Sequence, residues 1–209
     1  MANKDAPFGF RAIGGMGSSY ETQGTSKYEI ADNSTSAIYQ GDLCMTGGYN
    51  SDQTDANSVA VAVGYISCSS VTENILNFGV FNGCFYIDPT TAKPTWKNYY
   101  PGAVNITTGT IDAYCYDNPQ QLFEVQASGS LAQTDMGNLI DTNTYVAGST
   151  INGHSKEELA GTVTGSGATA QWRLIRGSED PANSDKSAAN ANWIVRLNES
   201  IYYAGVVLT

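Results

Sequence analysis

The sequence predicts an all-β protein, one β-rich domain with an extended N-terminal arm, long loops and little helix. Three observations lead there. Apolar residues recur with period two in segment after segment, as expected of strands whose successive side chains face opposite ways. The 209 residues include 22 Gly and 13 Tyr, with 41% hydrophobic and only 14% charged residues, a composition of turns and β-formers. No window sustains an apolar stripe at helical spacing long enough to hold a helix by itself.

Taken in order, residues 1–27 read as an arm and residues 28–209 as a single β-rich domain. The arm is rich in Gly, Ala and Ser, and Gly14-Gly15-Met16-Gly17-Ser18-Ser19 has neither period. Pro7, Phe8, Phe10 and Ile13 give it more apolar character than a solvated tail carries, so it is expected to anchor on another surface. Strands are expected at 36–45, 59–66, 77–81, 83–87, 111–116, 122–127, 171–176 and 193–197. Residues 59–66 are apolar on both faces, whereas Ile111, Ala113 and Cys115 alternate with Asp112, Tyr114 and Tyr116 as in a half-exposed strand. Residues 193–208 suggest a closing hairpin turning at Asn198-Glu199. Helix is expected only as a short piece within 131–141, interrupted by Gly137, and one turn at Lys156–Ala160. Long polar connections fill 46–58, 88–109, 147–170 and 177–190.

The balance of 20 acidic against 10 basic residues gives a net charge of −10, which repels phosphate backbones and anionic lipid. No nucleic-acid or membrane partner is expected. The N-terminus lacks an apolar signal region and no apolar run reaches membrane-spanning length, so synthesis in a cytoplasm is expected. Cys44, Cys68, Cys84 and Cys115 are widely spaced and read as buried reduced thiols.

Little in the chain points to chemistry, and neither an enzyme nor a cofactor is expected. The single histidine, His154, lies in the turn-rich Asn152-Gly-His-Ser155 and reads as an exposed loop residue. Asp112 and Asp117 are the carboxylates a glycan hydrolase would use, but Asp117 precedes Asn118-Pro119 and Asp88 precedes Pro89, both turn signatures. Asp52, Asp55 and Asn57 form a weak candidate for calcium, and Asp141-Thr-Asn143 begins like an EF-hand loop without completing one. No metal site is assigned. The tyrosines, with Trp96, suit either sheet packing or contact with protein or sugar.

Several motifs carry a resemblance. They are the opening Met1-Ala-Asn-x-Asp5-Ala-Pro7-x-Gly9-Phe10-Arg11, then Ile38-Tyr-Gln-Gly41-Asp42, and Phe81-Asn-Gly83-Cys84-Phe85-Tyr86-x-Asp88-Pro89 continuing to Pro94-x-Trp96-x-Asn98-Tyr99. Ala113-Tyr-x-x-Asp117-x-Pro119-x-x-x-Phe123-Glu-Val125-Gln126, Gly137-Asn138 and Trp172-Arg-Leu174 follow in the same order. Together the chain resembles the head decoration, or cement, proteins of tailed bacteriophages. The resemblance implies a small β-barrel or jelly-roll-like sandwich, often trimeric, fastened to the exterior of the capsid, with the major capsid protein as partner and no active site. It makes Phe8, Phe10, Arg11, Trp96, Tyr99 and Tyr100 the expected capsid or subunit contacts, and removal of residues 1–13 is expected to leave a folded protein that no longer attaches. Two other readings remain: a virion carbohydrate-binding or fibre protein using Trp96, Tyr99 and Tyr100, and a glycan hydrolase using Asp112 and Asp117.

Overall fold

A computed structural model describes residues 3–16, 24–30, 34–49, 64–68, 77–106, 109–164 and 170–202. Eleven strands are present among them: β1 (Arg11–Gly15), β2 (Ser26–Ile30), β3 (Leu43–Tyr49), β4 (Gly64–Cys68), β5 (Asn77–Ile87), β6 (Pro94–Lys97), β7 (Ile111–Tyr116), β8 (Gln121–Gln126), β9 (Leu139–Ile140), β10 (Trp172–Gly177) and β11 (Asn192–Leu197). The only helical element described is a 3₁₀ turn at Gln133–Asp135. The protein is all-β, and its curled antiparallel sheets form a half-barrel.

One sheet runs β1-β8-β11-β10-β9, antiparallel throughout. The other runs β3-β4-β2-β7-β5-β6, and β3 also pairs with β5, so this sheet curls back on itself. Its one parallel rung joins Glu29 to Tyr65. Each sheet has an apolar core. Trp172, Trp193, Phe123, Val125 and Leu174 fill the first. Phe78, Phe81, Tyr86, Tyr100 and Ile111 fill the second. The register pair Leu43–Val80 belongs to the first core, while their neighbours Cys44 and Phe81 belong to the second. The β3–β5 pair is therefore a wall shared by both cores. Alternate side chains along it point opposite ways, and both faces are dry.

The expected strands at 111–116, 122–127, 171–176 and 193–197 are present within a residue or two. Ile111, Ala113 and Cys115 are buried and Asp112, Tyr114 and Tyr116 half-buried, as their alternation requires. The two strands expected at 77–81 and 83–87 are one, β5, whose pairing with β7 shifts register between Phe81 and Gly83. Val59–Val63 of the expected 59–66 strand lie outside the described residues, as do 203–208 of the closing hairpin, while Ile201–Tyr202 form a turn.

Neither helical expectation holds beyond the 3₁₀ turn. Gly137 has φ +87° and leads into β9, so Leu131 and Ile140 are buried while Met136 points to solvent. Lys156–Ala160 is extended, and Leu159 bridges to both Ala127 and Thr142. Buried contact on the sheet outweighs a single helical turn, which fixes several backbone angles for one hydrogen bond.

The N-terminal segment is extended as expected, but its described part does not stand off from the domain. β1 pairs with β8. Phe10 is 2% exposed and stacks on Trp172 at 4.1 Å. Asn3 Nδ2 donates to the carbonyls of Asp185 and Ala189, each at 2.8 Å, and the Lys4 N–H donates to Asn183 Oδ1 at 2.8 Å. Gln126, buried on the back of β8, donates to the Lys4 carbonyl and accepts the Ala6 N–H. The cause is chemical. The buried amides of Gln126 on β8 and Asn183 in the 177–190 loop require partners, and the backbone of Lys4 and Ala6 supplies them.

Candidate functional site

Two places on the molecule have the chemistry to engage something else. The first is the outer face of the six-stranded sheet at its β6 edge. In the β5–β6 hairpin Phe85 pairs with Trp96 and Ile87 with Pro94, so these four share a face. Trp96 is 52% exposed, Ile87 41% and Phe85 37%. The hairpin turns at Asp88, whose Oδ1 accepts the N–H groups of Thr90 at 2.8 Å and Thr91 at 3.0 Å. Those donors, Thr91 first, hold its carboxyl below the usual aspartate range. Tyr114 on β7 meets the indole of Trp96 at 5.2 Å between ring centroids. Gly83 is required beneath it, because a Cβ there would sit 2.6 Å from Trp96 Cζ2. The rim is charged. Asp112, opposite Phe85, forms an ion pair with Lys27 at 2.9 Å, and Glu29 lies opposite Asp112 on β2.

The second place is a cleft of about 300 Å³ where β1 meets the 40–41 corner, the start of β5 and the 149–154 loop. Phe8, Arg11, Gln40, Asn82, Tyr116 and His154 line it, with Phe10 and Phe81 among its apolar walls. Gly9 has φ +75°, and a Cβ there would lie 2.5 Å from that of Ser155, so only glycine lets the N-terminal segment pass under the loop. Gln40 pairs with His154 as a parallel bridge, and the Ser155 N–H donates to the Gln40 carbonyl at 2.9 Å.

Beside this corner lies a pair of buried acids. Asp42 is 0% and Glu157 1% exposed. Asp42 Oδ2 accepts the Tyr39 N–H at 2.8 Å, and Glu157 Oε2 accepts the Leu43 N–H at 2.9 Å. Burial, and then the neighbouring Asp42, push the Glu157 carboxyl well above the ordinary range. This pair fastens the 155–159 strap to the start of β3.

The six expected contact residues do not form one surface. Trp96 is on the outer strip, and Phe8 and Arg11 are on the cleft. Arg11 forms an ion pair with Glu124, and its guanidinium lies 5.1 Å over the Phe8 ring. Tyr99 is half-buried against Tyr39 at 5.7 Å. Phe10 and Tyr100 are core residues with no area to offer a partner, Tyr100 donating its hydroxyl to the Ser34 carbonyl at 2.9 Å. Their apolar rings were needed inside, where each fills one of the two cores. Trp96, Tyr99 and Tyr100 accordingly do not compose a single sugar platform.

Asp112 and Asp117 do not converge either. They are five residues apart on and just past β7, about 16 Å between Cα atoms for extended chain, and Asp112 is taken up by the Lys27 ion pair. Asp117 accepts the Tyr28 hydroxyl at 2.7 Å, and the turn's side-chain bond comes from Asn118, which accepts the Gln120 N–H at 2.8 Å. The turn stands where expected, built by the next residue. Asp141 is engaged with the Gln171 N–H and the Thr164 hydroxyl. Among the described residues no three His, Cys, Asp or Glu side chains gather as a metal site, and Asp52, Asp55 and Asn57 lie outside them. Cys44, Cys84 and Cys115 are buried, and burial pushes the Cys84 thiol up to about 12. Phe85, Ile87, Gln40, Asn82 and the Asp42–Glu157 pair were missed. Phe85 and Ile87 are legible only once Gly83, two residues before Phe85, is known to face outward.

No family model matches the chain, and no curated protein or solved structure matches it.

Proposed function

We propose that the protein is a structural virion component that binds the outside of an assembled phage capsid and stabilises it, as a homotrimer and without catalysis. The observation that carries the reading is the apolar strip Phe85–Ile87–Trp96, exposed on the rigid β5–β6 hairpin. A large aromatic at the centre of an apolar patch with a charged rim is the usual make-up of a protein contact. The resemblance supports the same reading, because Phe81-Asn-Gly83-Cys84-Phe85 and Pro94-x-Trp96 are the segments that build this strip. Residues Pro94–Lys97 form a short edge strand that begins with proline, which discourages indiscriminate strand addition and leaves the side-chain face to make the contact.

Attachment stabilises by mass action. A protein that binds the assembled shell and not the free subunits adds about 2.7 kcal/mol per site at a hundredfold excess over Kd. Three strips on one trimer, engaging together, turn modest single contacts into long residence. The test is calorimetry of undecorated heads of the parent phage, with and without the purified protein. The shell transition is expected to rise with protein concentration and then saturate. An unchanged transition at saturating protein contradicts the reading.

A further inference from the structure

We infer that the cleft between β1, the 40–41 corner and the 149–154 loop is a binding site for a neutral sugar ring, a property separate from capsid attachment. Its polar tier is rich in hydrogen-bond donors and held in place. Gln40 Nε2 donates to Asn82 Oδ1 at 3.0 Å, and Asn98 Nδ2 donates to the Asn152 carbonyl at 2.7 Å, tying the loop to the hairpin. The Asn82 amide oxygen is thereby engaged, which leaves its NH2 group as the donor for a ligand acceptor. Arg11 spends one amino group on Glu124, leaving further N–H donors of a planar guanidinium already resting on Phe8. Tyr116 and His154 complete the lining.

The apolar tier is the half-buried Phe8 with Ala12 beside it, and the buried Phe10 and Phe81 close the wall behind them. A hexose has this two-sided character: hydroxyl acceptors around its rim and a C–H face. The cleft's 300 Å³ equals about ten waters, room for one such ring, and lies at the small end of the range for ligand sites. Charge favours a neutral ligand over an anion. The Arg11 cation is already matched by Glu124, and the whole chain carries −10.

The experiment is saturation-transfer NMR and titration calorimetry on the intact protein. The probes are glucose, galactose, mannose and N-acetylglucosamine, with glucuronate as the charged control. At least one neutral sugar is expected to bind with millimolar Kd. Asn82→Ala and Tyr116→Phe are each expected to weaken it several-fold, up to about tenfold for one lost hydrogen bond. Tyr116→Phe removes a single hydroxyl from a half-buried ring, so its unchanged melting temperature separates lost binding from lost fold. Failure of all four neutral sugars, tighter binding of glucuronate, or equal affinity in a folded Tyr116→Phe and Asn82→Ala pair overturns the assignment. Capsid attachment is read in a different assay, so either result stands without the other.

Discussion

Phe10 and Glu157 show how single side chains hold this molecule together. Phe10 lies on Trp172 at 4.1 Å, with Phe123 meeting the same indole edge-on at 5.6 Å. Phe10→Ala leaves a cavity under that indole and is expected to cost about 3–5 kcal/mol in urea unfolding. Glu157 acts through pH. Its carboxyl titrates higher in the folded chain than in the unfolded chain, chiefly from burial and secondarily from Asp42. Its contribution is therefore fully present below the unfolded value of about 4.3 and is lost as pH rises toward the raised folded value. Glu157→Gln keeps an acceptor for the Leu43 N–H and has no proton to lose. The variant is expected to match the wild type near pH 4 and to melt about 2–4 °C higher at pH 7, and parallel melting curves across that range would contradict the assignment.

At the scale of elements, what the sequence discloses depends on where each strand finds its partners. β7 and β11 announce themselves because one face is apolar along their whole length. β1 does not. Only four residues pair, its register shifts between Ala12 and Gly14, and the groups that fix residues 3–6 are amides more than a hundred residues away. No local period encodes such a contact. The same holds for the strap at 155–159, whose polar sequence conceals Leu159 in the core and Glu157 beside Asp42. Of the candidate site, Trp96 was legible as a large aromatic in a turn-rich stretch. Its companions Phe85 and Ile87 needed the hairpin register before they could be assigned to the outer face. The correction to the N-terminal segment has a direct consequence. Removing residues 1–13 deletes Phe10, half of the β1 pairs and the Lys4 and Ala6 partners of Gln126 and Asn183, so the truncated chain is expected to unfold at markedly lower temperature by circular dichroism. A truncated chain that melts with the full-length protein would restore a detached arm.

For the whole molecule, the shared β3–β5 wall matters most. It joins two cores, so β5 carries a buried half, Asn77–Phe81, and a half that emerges into the β6 hairpin with Phe85 and Ile87 outside. A strand fixed on both faces at one end presents an exposed strip at the other without the ordering cost of a loop. This rigidity suits the proposed attachment, and Trp96 is the residue on which that proposal turns. The direct measurement is co-sedimentation of purified protein with assembled, undecorated heads, comparing the wild type with Trp96→Ala. The indole is half exposed, so its loss is expected to spare the fold and to weaken binding by about 2 kcal/mol or more per contact, enough to clear the variant from the pellet at concentrations that saturate the wild type. Wild-type protein left in the supernatant, or a Trp96→Ala variant that pellets equally well, would contradict the account.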